Sequence, residues 1–168
     1  MPLERFSAAW REAYVREASA AERSGNAPEC VFCDLLGQGV GAESGVITTS
    51  QHAFVTLNAY PYGSGHLLVL PRRHIQSLGE MTVDESHDYF DLLRRTTQAV
   101  TEAYQPDGMN VGFNLGRAAG AGIPQHLHGH VLPRWNGDTN FMTSLGETRV
   151  LPESLATTWA KVATEFAK

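Results

Sequence analysis

Positive charge is what this sequence most lacks. Its 168 residues carry 13 Lys and Arg against 18 Asp and Glu, a net charge of -5, and the two Lys both fall in the last eight positions. That balance argues against a nucleic-acid coat or a membrane-surface protein, and it leaves cationic work in the body of the chain to Arg. A small anionic ligand remains compatible, because it needs only local positive groups. Long apolar runs are missing too: none approaches the ~18 residues of a membrane span. The opening MPLERFSAAW lacks the charged-then-apolar layout of a signal peptide, so a cytoplasmic protein with no membrane partner is expected. Two Cys are too few for a disulfide scaffold. Their C-x-x-C spacing suits a metal or redox role in a reducing compartment. What is present is ordinary for a folded chain, with 42% hydrophobic and 18% charged residues. At ~100–200 residues per domain, the length predicts a single domain over 1–168.

Residues 3–23 place Phe6, Trp10, Tyr14 and Val15 at helical spacing, which predicts an amphipathic N-terminal helical extension over 1–25. SGNAP then breaks it, and CVFCDLL (30–36) reads as a short helical turn. Strand-like stretches follow at 46–49, 52–57 and 66–70, the last two flanking a long turn in NAYPYGSG. Apolar residues at helical intervals over 82–104 predict a long helix. Thr82 and Glu85 form a capping box at its start, and Pro106-Asp107-Gly108 stops it. Two more alternating stretches, 109–115 and 126–132, flank the Gly-rich GRAAGAGIP. A closing helix spans 150–168. The pattern predicts an α+β domain with a mainly antiparallel five-stranded sheet and a long central helix, its core over 30–135.

Three of the seven His fall within five positions, His126, His128 and His130. On a strand, a period of two puts all three imidazoles on one face, where they can supply a nucleophile, a proton carrier and hydrogen-bond donors. A three-His zinc site and a merely His-rich strand are the alternatives. Gly116, Gly120 and Gly122 just upstream allow close backbone approach to an anion, which favours the first reading. Cys30 and Cys33 can supply half of a tetrahedral metal site; a disulfide or two buried thiols are the other readings.

HLHGHVL (126–132) resembles the His-x-His-x-His motif of the histidine-triad nucleotide hydrolases and transferases, with Gly129 at a position that is usually apolar. GHLLVLPRRH (65–74), CVFC (30–33) and NVGFNLG (110–116) extend the resemblance over about residues 30–135. Within that family, PRWNGDTNF (133–141) and LNAYPYGSGHLLVLPRRH are most similar to the bacterial diadenosine tetraphosphate phosphorylases, related to ATP adenylyltransferases. The resemblance implies a transferase that cleaves diadenosine tetraphosphate with inorganic phosphate to ATP and ADP. A hydrolase of dinucleoside polyphosphates or nucleoside phosphoramidates is the alternative, and a nucleotide-binding scaffold is a second.

The same resemblance implies roles. His128 is the nucleophile, and His130 and Asn114 contact the α-phosphate, helped by backbone N–H groups of Gly120 to Gly122. Asn58 stands where many relatives have an Asp for the ribose hydroxyls. Val31, Phe32, Leu35 and Leu57 line the base slot. By charge alone, Arg117 and Arg134 are candidates to meet the outer phosphates or incoming phosphate, a solvated surface role being the alternative. Trp135 shields that phosphate seat or stacks on the second base. Cys30, Cys33, His74 and His126 hold a structural zinc. A homodimer or homotetramer is implied as well. His52, His66 and His87 receive no role.

Overall fold

The structure, a computed structural model, describes residues 30–139 and 153–168. The N-terminal helix expected over 1–25 lies outside them, as do the last two residues of PRWNGDTNF. The fold class is as expected: α+β, with five antiparallel strands and one long helix across them.

Helix α1 (Val31–Gln38) is longer than the turn expected at 30–36, and it closes where Gly39 takes φ 82°. Strands β1 (Val46–Thr49), β2 (Ala53–Leu57) and β3 (Leu67–Pro71) form an antiparallel meander. Asp88, from the helix across the sheet, closes the β1–β2 turn by accepting from Ser50 Oγ at 2.6 Å and from the His52 N–H at 2.7 Å. The β2–β3 connection turns at Gly65, φ 73°, where a Cβ would stand 2.9 Å from Pro133 and 3.0 Å from Tyr104. Only glycine fits there.

Helix α2 (Val83–Tyr104) begins at the expected capping box. The Glu85 N–H donates to Thr82 Oγ1 at 3.2 Å, and the Thr82 N–H donates to Glu85 Oε2 at 2.8 Å. Such caps contribute about 1 kcal/mol by satisfying N–H groups that the first turn leaves without partners. It ends at Gln105, which adopts the left-handed conformation just before Pro106. Strands β4 (Gly108–Phe113) and β5 (Gly129–Arg134) complete the sheet in the order β1-β2-β3-β5-β4, and helix α3 (Leu155–Phe166) follows.

The two faces of the sheet are covered differently. Val55, Leu57, Leu67, Val69 and Val131 pack on one face against Tyr89, Leu92, Val100 and Val162, from α2 and α3. The alternate residues Phe54, Leu68 and Leu70 face the other way and pack with Val46 and Phe32 of α1. Burying each of these large side chains contributes roughly 1.5–3 kcal/mol. His130 is the register partner of Leu68. The histidine cluster therefore shares the α1 face.

One expectation is corrected here. The fifth strand begins at Gly129, not at residue 126. Pairing of β5 with β3 and with β4 both end at Gly129, opposite Val69 and Phe113. His126 and His128 thus precede the sheet and are not held to its alternation.

Candidate functional site

His128 and His130 lie side by side, ring centroids 5.2 Å apart, whereas His126 is set off from them by Phe32. The Phe32 ring stands 5.6 Å from His126 and 5.4 Å from His128. The three imidazoles are therefore divided between two centres instead of lining one strand face.

The first centre is a cluster of Cys30, Cys33, His74 and His126, whose ligand atoms all lie within 4.8 Å of one another. The His126 ring is oriented by its Nε2, 2.9 Å from the Pro71 carbonyl oxygen. A carbonyl only accepts, so Nε2 carries the proton and Nδ1 keeps its lone pair. That Nδ1 sits 3.3 Å from Cys30 Sγ and 3.7 Å from Cys33 Sγ, and His74 Nδ1 is 3.5 Å from Cys33 Sγ. A tetrahedral ion with bonds of ~2.3 Å to S and ~2.0 Å to N would give S···N edges of roughly 3.5 Å. Without a cation, burial and the neighbouring Cys30 push the Cys33 thiol up to about 11. Burial brings His126 down to about 4. Two thiols and two neutral imidazoles, one oriented by a backbone carbonyl, fit a divalent metal.

The second centre is His128 with His130, His66, Tyr62 and Asn114. His128 Nδ1 donates to the His126 carbonyl oxygen at 2.8 Å, so Nε2 presents the lone pair. Burial holds this imidazole below its ordinary value, against the opposing pull of that hydrogen bond, and keeps it neutral near pH 7. The Tyr62 N–H donates to His66 Nδ1 at 3.0 Å, which leaves the His66 proton on Nε2. From there it donates to His130 Nδ1, 3.0 Å away. The His130 proton consequently sits on Nε2, where the Asn114 side-chain amide lies at 3.3 Å. The amide atom there is Asn114 Nδ2, so two N–H donors stand side by side. The Tyr62 ring stacks on His130 at 5.7 Å and 22°. The arrangement offers a buried nucleophilic nitrogen beside N–H donors suited to an anion.

Sequence reasoning missed His66 and Tyr62. His66 stands two positions before Leu68, the register partner of His130, so strand parity places them on one face. That signal exists only once β3 and β5 are known to be neighbours.

Other expected site residues fall elsewhere. Leu57 is paired with Leu67 and belongs to the core on the α2 face, away from the histidines. Phe32 and Leu35 do lie on the histidine face, whereas Val31 is exposed. Asn58 is tied into its own turn: Oδ1 accepts from the Tyr60 N–H at 2.9 Å, and Nδ2 is 3.3 Å from His66 Nδ1. The Gly-rich segment is not an open cradle, because the Gly120 N–H donates to the Arg117 carbonyl at 2.9 Å and the Ala121 N–H to that of Gly116 at 3.2 Å. Those two N–H groups are spent within a 3-10 turn, Arg117–Ala119, and its cap. Arg134 is not aimed at a phosphate seat either. It pairs with Asp138 at 2.5 Å and donates to Asn110 Oδ1 at 2.7 Å, bracing the turn after β5. Trp135 meets the edge of the Tyr104 ring.

The HIT domain model matches residues 41–137. The AP-4-A phosphorylase of Mycobacterium tuberculosis is 35% identical over 168 residues, covering 99% of this chain and 86% of that protein. The bis(5'-adenosyl)-triphosphatase of Saccharomyces cerevisiae is 34% identical over 91 residues, 54% of this chain and 44% of that protein. Among solved structures, a Zn-bound histidine triad family protein from Mycobacterium smegmatis superposes with a TM-score of 0.65 at 27% identity, covering 83% of this chain and 94% of its own. With the match extending from strand β1 through the histidines to the turn after β5, the chain belongs to the HIT domain family.

Proposed function

We propose that the chain is a nucleotidyl transferase that cleaves diadenosine tetraphosphate with inorganic phosphate to ATP and ADP. One observation carries the reading: His128 is buried, neutral and held by a backbone carbonyl so that Nε2 is presented beside His130 and Asn114. In the first step Nε2 attacks the α-phosphorus, the P–O bond to the β-phosphate breaks, and ATP leaves already stable as an anion. Nε2–H of His130, the Asn114 amide and the Gly122 N–H bear on the phosphoryl oxygens as charge builds. In the second step a phosphate oxygen attacks the same phosphorus, the P–N bond breaks, and ADP forms. Near-full-length similarity to a phosphorylase supports phosphate as the acceptor.

The same reading places one zinc ion on Cys30, Cys33, His74 and His126. When bound, zinc would tie α1 to the segment before β5 and would supply no step of the reaction. Phe32, between two of its ligands in sequence and against His128 in space, would be set by it.

Product analysis tests the reaction. Turnover that depends on added phosphate and yields ATP plus ADP supports it. ATP plus AMP at a rate indifferent to phosphate makes the enzyme a hydrolase, the activity named for the yeast relative. His128→Ala should lower turnover by several orders of magnitude while substrate binding persists.

A further inference from the structure

Between His128 and His130 stands Gly129, and behind it stands a fully buried tyrosine. Tyr89 projects from α2 onto the back of the sheet, and its hydroxyl donates to the Val69 carbonyl at 2.8 Å. The Gly129 N–H faces the phenol oxygen. Val69 and Gly129 are register partners, and neither β3 nor β4 pairs with β5 upstream of Gly129. The phenol hydroxyl thus sits on the α2 face of the Val69–Gly129 pair, in the space that a side chain at 129 would take. A Cβ on residue 129 would lie 2.5 Å from that oxygen and 3.0 Å from the Phe113 ring. Real Cβ atoms do not approach so closely, so the large residue at 89 and the absent side chain at 129 require each other.

We propose that Tyr89 is a positioning residue: its hydroxyl, bonded to Val69 and set in the space of the missing side chain at Gly129, fixes the peptide that joins His128 to His130. This deepens the proposed function and rests on it for the roles of the two histidines. Because the pairing stops at Gly129, the chain before it departs from the sheet, and His126 can turn to the cysteine cluster while His128 keeps its own ring on the opposite side of Phe32. Removing the hydroxyl takes one hydrogen bond from the Val69 C=O and empties the space behind Gly129, so the peptide between His128 and His130 loses the group that it packs on. Tyr89 takes no part in proton transfer, since burial raises its ionisation far above any working pH.

Tyr89→Phe tests the idea with little change in shape. The expected result is a kcat about 10–100-fold lower with KM within about threefold, as for a reacting group displaced by an ångström or less. A kcat within twofold of wild type, measured well below the melting temperature, overturns the proposal. A second readout needs no substrate: the imidazole nitrogen signals of His128 and His130 should shift in Tyr89→Phe while that of exposed His87 stays in place. Unmoved His128 and His130 signals overturn the proposal even if diadenosine tetraphosphate proves not to be the substrate. Shifted signals in a protein that does not turn over that substrate retain the positioning role and overturn only the reaction. Gly129→Ala should lower the melting temperature less in a Tyr89→Phe background than in wild type; strictly additive losses would show that the two positions do not share this space.

Discussion

His66 Nε2 stands 3.0 Å from His130 Nδ1, and this contact decides which nitrogen of His130 is left to meet an anion. The Tyr62 backbone N–H sets the His66 tautomer, and His66 in turn sets that of His130. A main-chain group in the β2–β3 turn therefore controls a proton at the front of the site. His66→Gln should lower kcat/KM for the proposed substrate by about tenfold or more, because His130 is then free to present either nitrogen. Steady-state kinetics check it, and a variant within twofold of wild type would show that His130 does not depend on this partner.

The cysteine-histidine cluster makes a separate prediction. Purified protein should contain one zinc per chain, and a strong chelator should lower the melting temperature, because metal affinity for a folded site adds to folding stability. Cys33→Ser should lose the metal and most of that stabilisation. Elemental analysis without stoichiometric metal, combined with a melting temperature indifferent to chelator, would sink the assignment.

Acid stability should depend on Glu85. Two hydrogen bonds from Arg73, at 2.7 and 2.8 Å, and one from the Thr82 N–H pull its carboxyl down to about 2 from an ordinary 4.5. A carboxylate depressed in the folded state stabilises it fully above the unfolded value, and that contribution fades as pH falls through 4.5 toward 2. Glu85→Gln should therefore lower the denaturation midpoint at pH 7, and the gap from wild type should shrink steadily below pH 4.5. Because half of the Arg73 side chain is exposed, added salt should narrow the gap at pH 7 only modestly. A gap that stays constant from pH 7 to 3 would contradict the ion-pair account.

What the sequence could and could not reveal divides along local and non-local lines. The bounds of α2 were legible because its start and stop are written in adjacent residues, Thr82 with Glu85 and Pro106 with Gly108. The His126–His130 spacing announced a chemical site, but not that the site has two halves. An extended segment and a strand carry the same alternation, and where β5 begins is set by its pairing with β3 and β4, which nothing in the segment itself states. Leu57 was misplaced for a related reason: its side is set by register with Leu67, which no local pattern states. Glycines at 120 and 122 looked like an anion cradle, yet the turn they permit uses the Gly120 and Ala121 N–H groups internally. Cys30 and Cys33 declare half of the metal cluster by spacing, but His74 and His126 join them only through the resemblance, because Cys30 and His126 meet only after the sheet has folded.

The last prediction concerns a second copy of the chain. Strand β4 is an outer strand of the sheet, and Val111 on it is 46% exposed, with Leu115 just beyond it at 49%. Phe90 of α2 is 45% exposed and packs edge-on against Tyr89, whose ring in turn meets Phe113 of β4. Met109 and Phe113 pack toward α2, and strand alternation puts Val111 on the same side as both. Among the described residues an apolar patch thus runs from the exposed side of α2 to the outer strand of the sheet, a surface suited to an identical one across a two-fold axis. Light scattering at micromolar concentration should give at least twice the 18.3 kDa of one chain. Phe90→Glu combined with Val111→Lys should reduce the mass toward that of one chain by placing charge at the centre of the contact. A wild-type mass of one chain, or a double variant that still assembles, would rule this surface out as the interface.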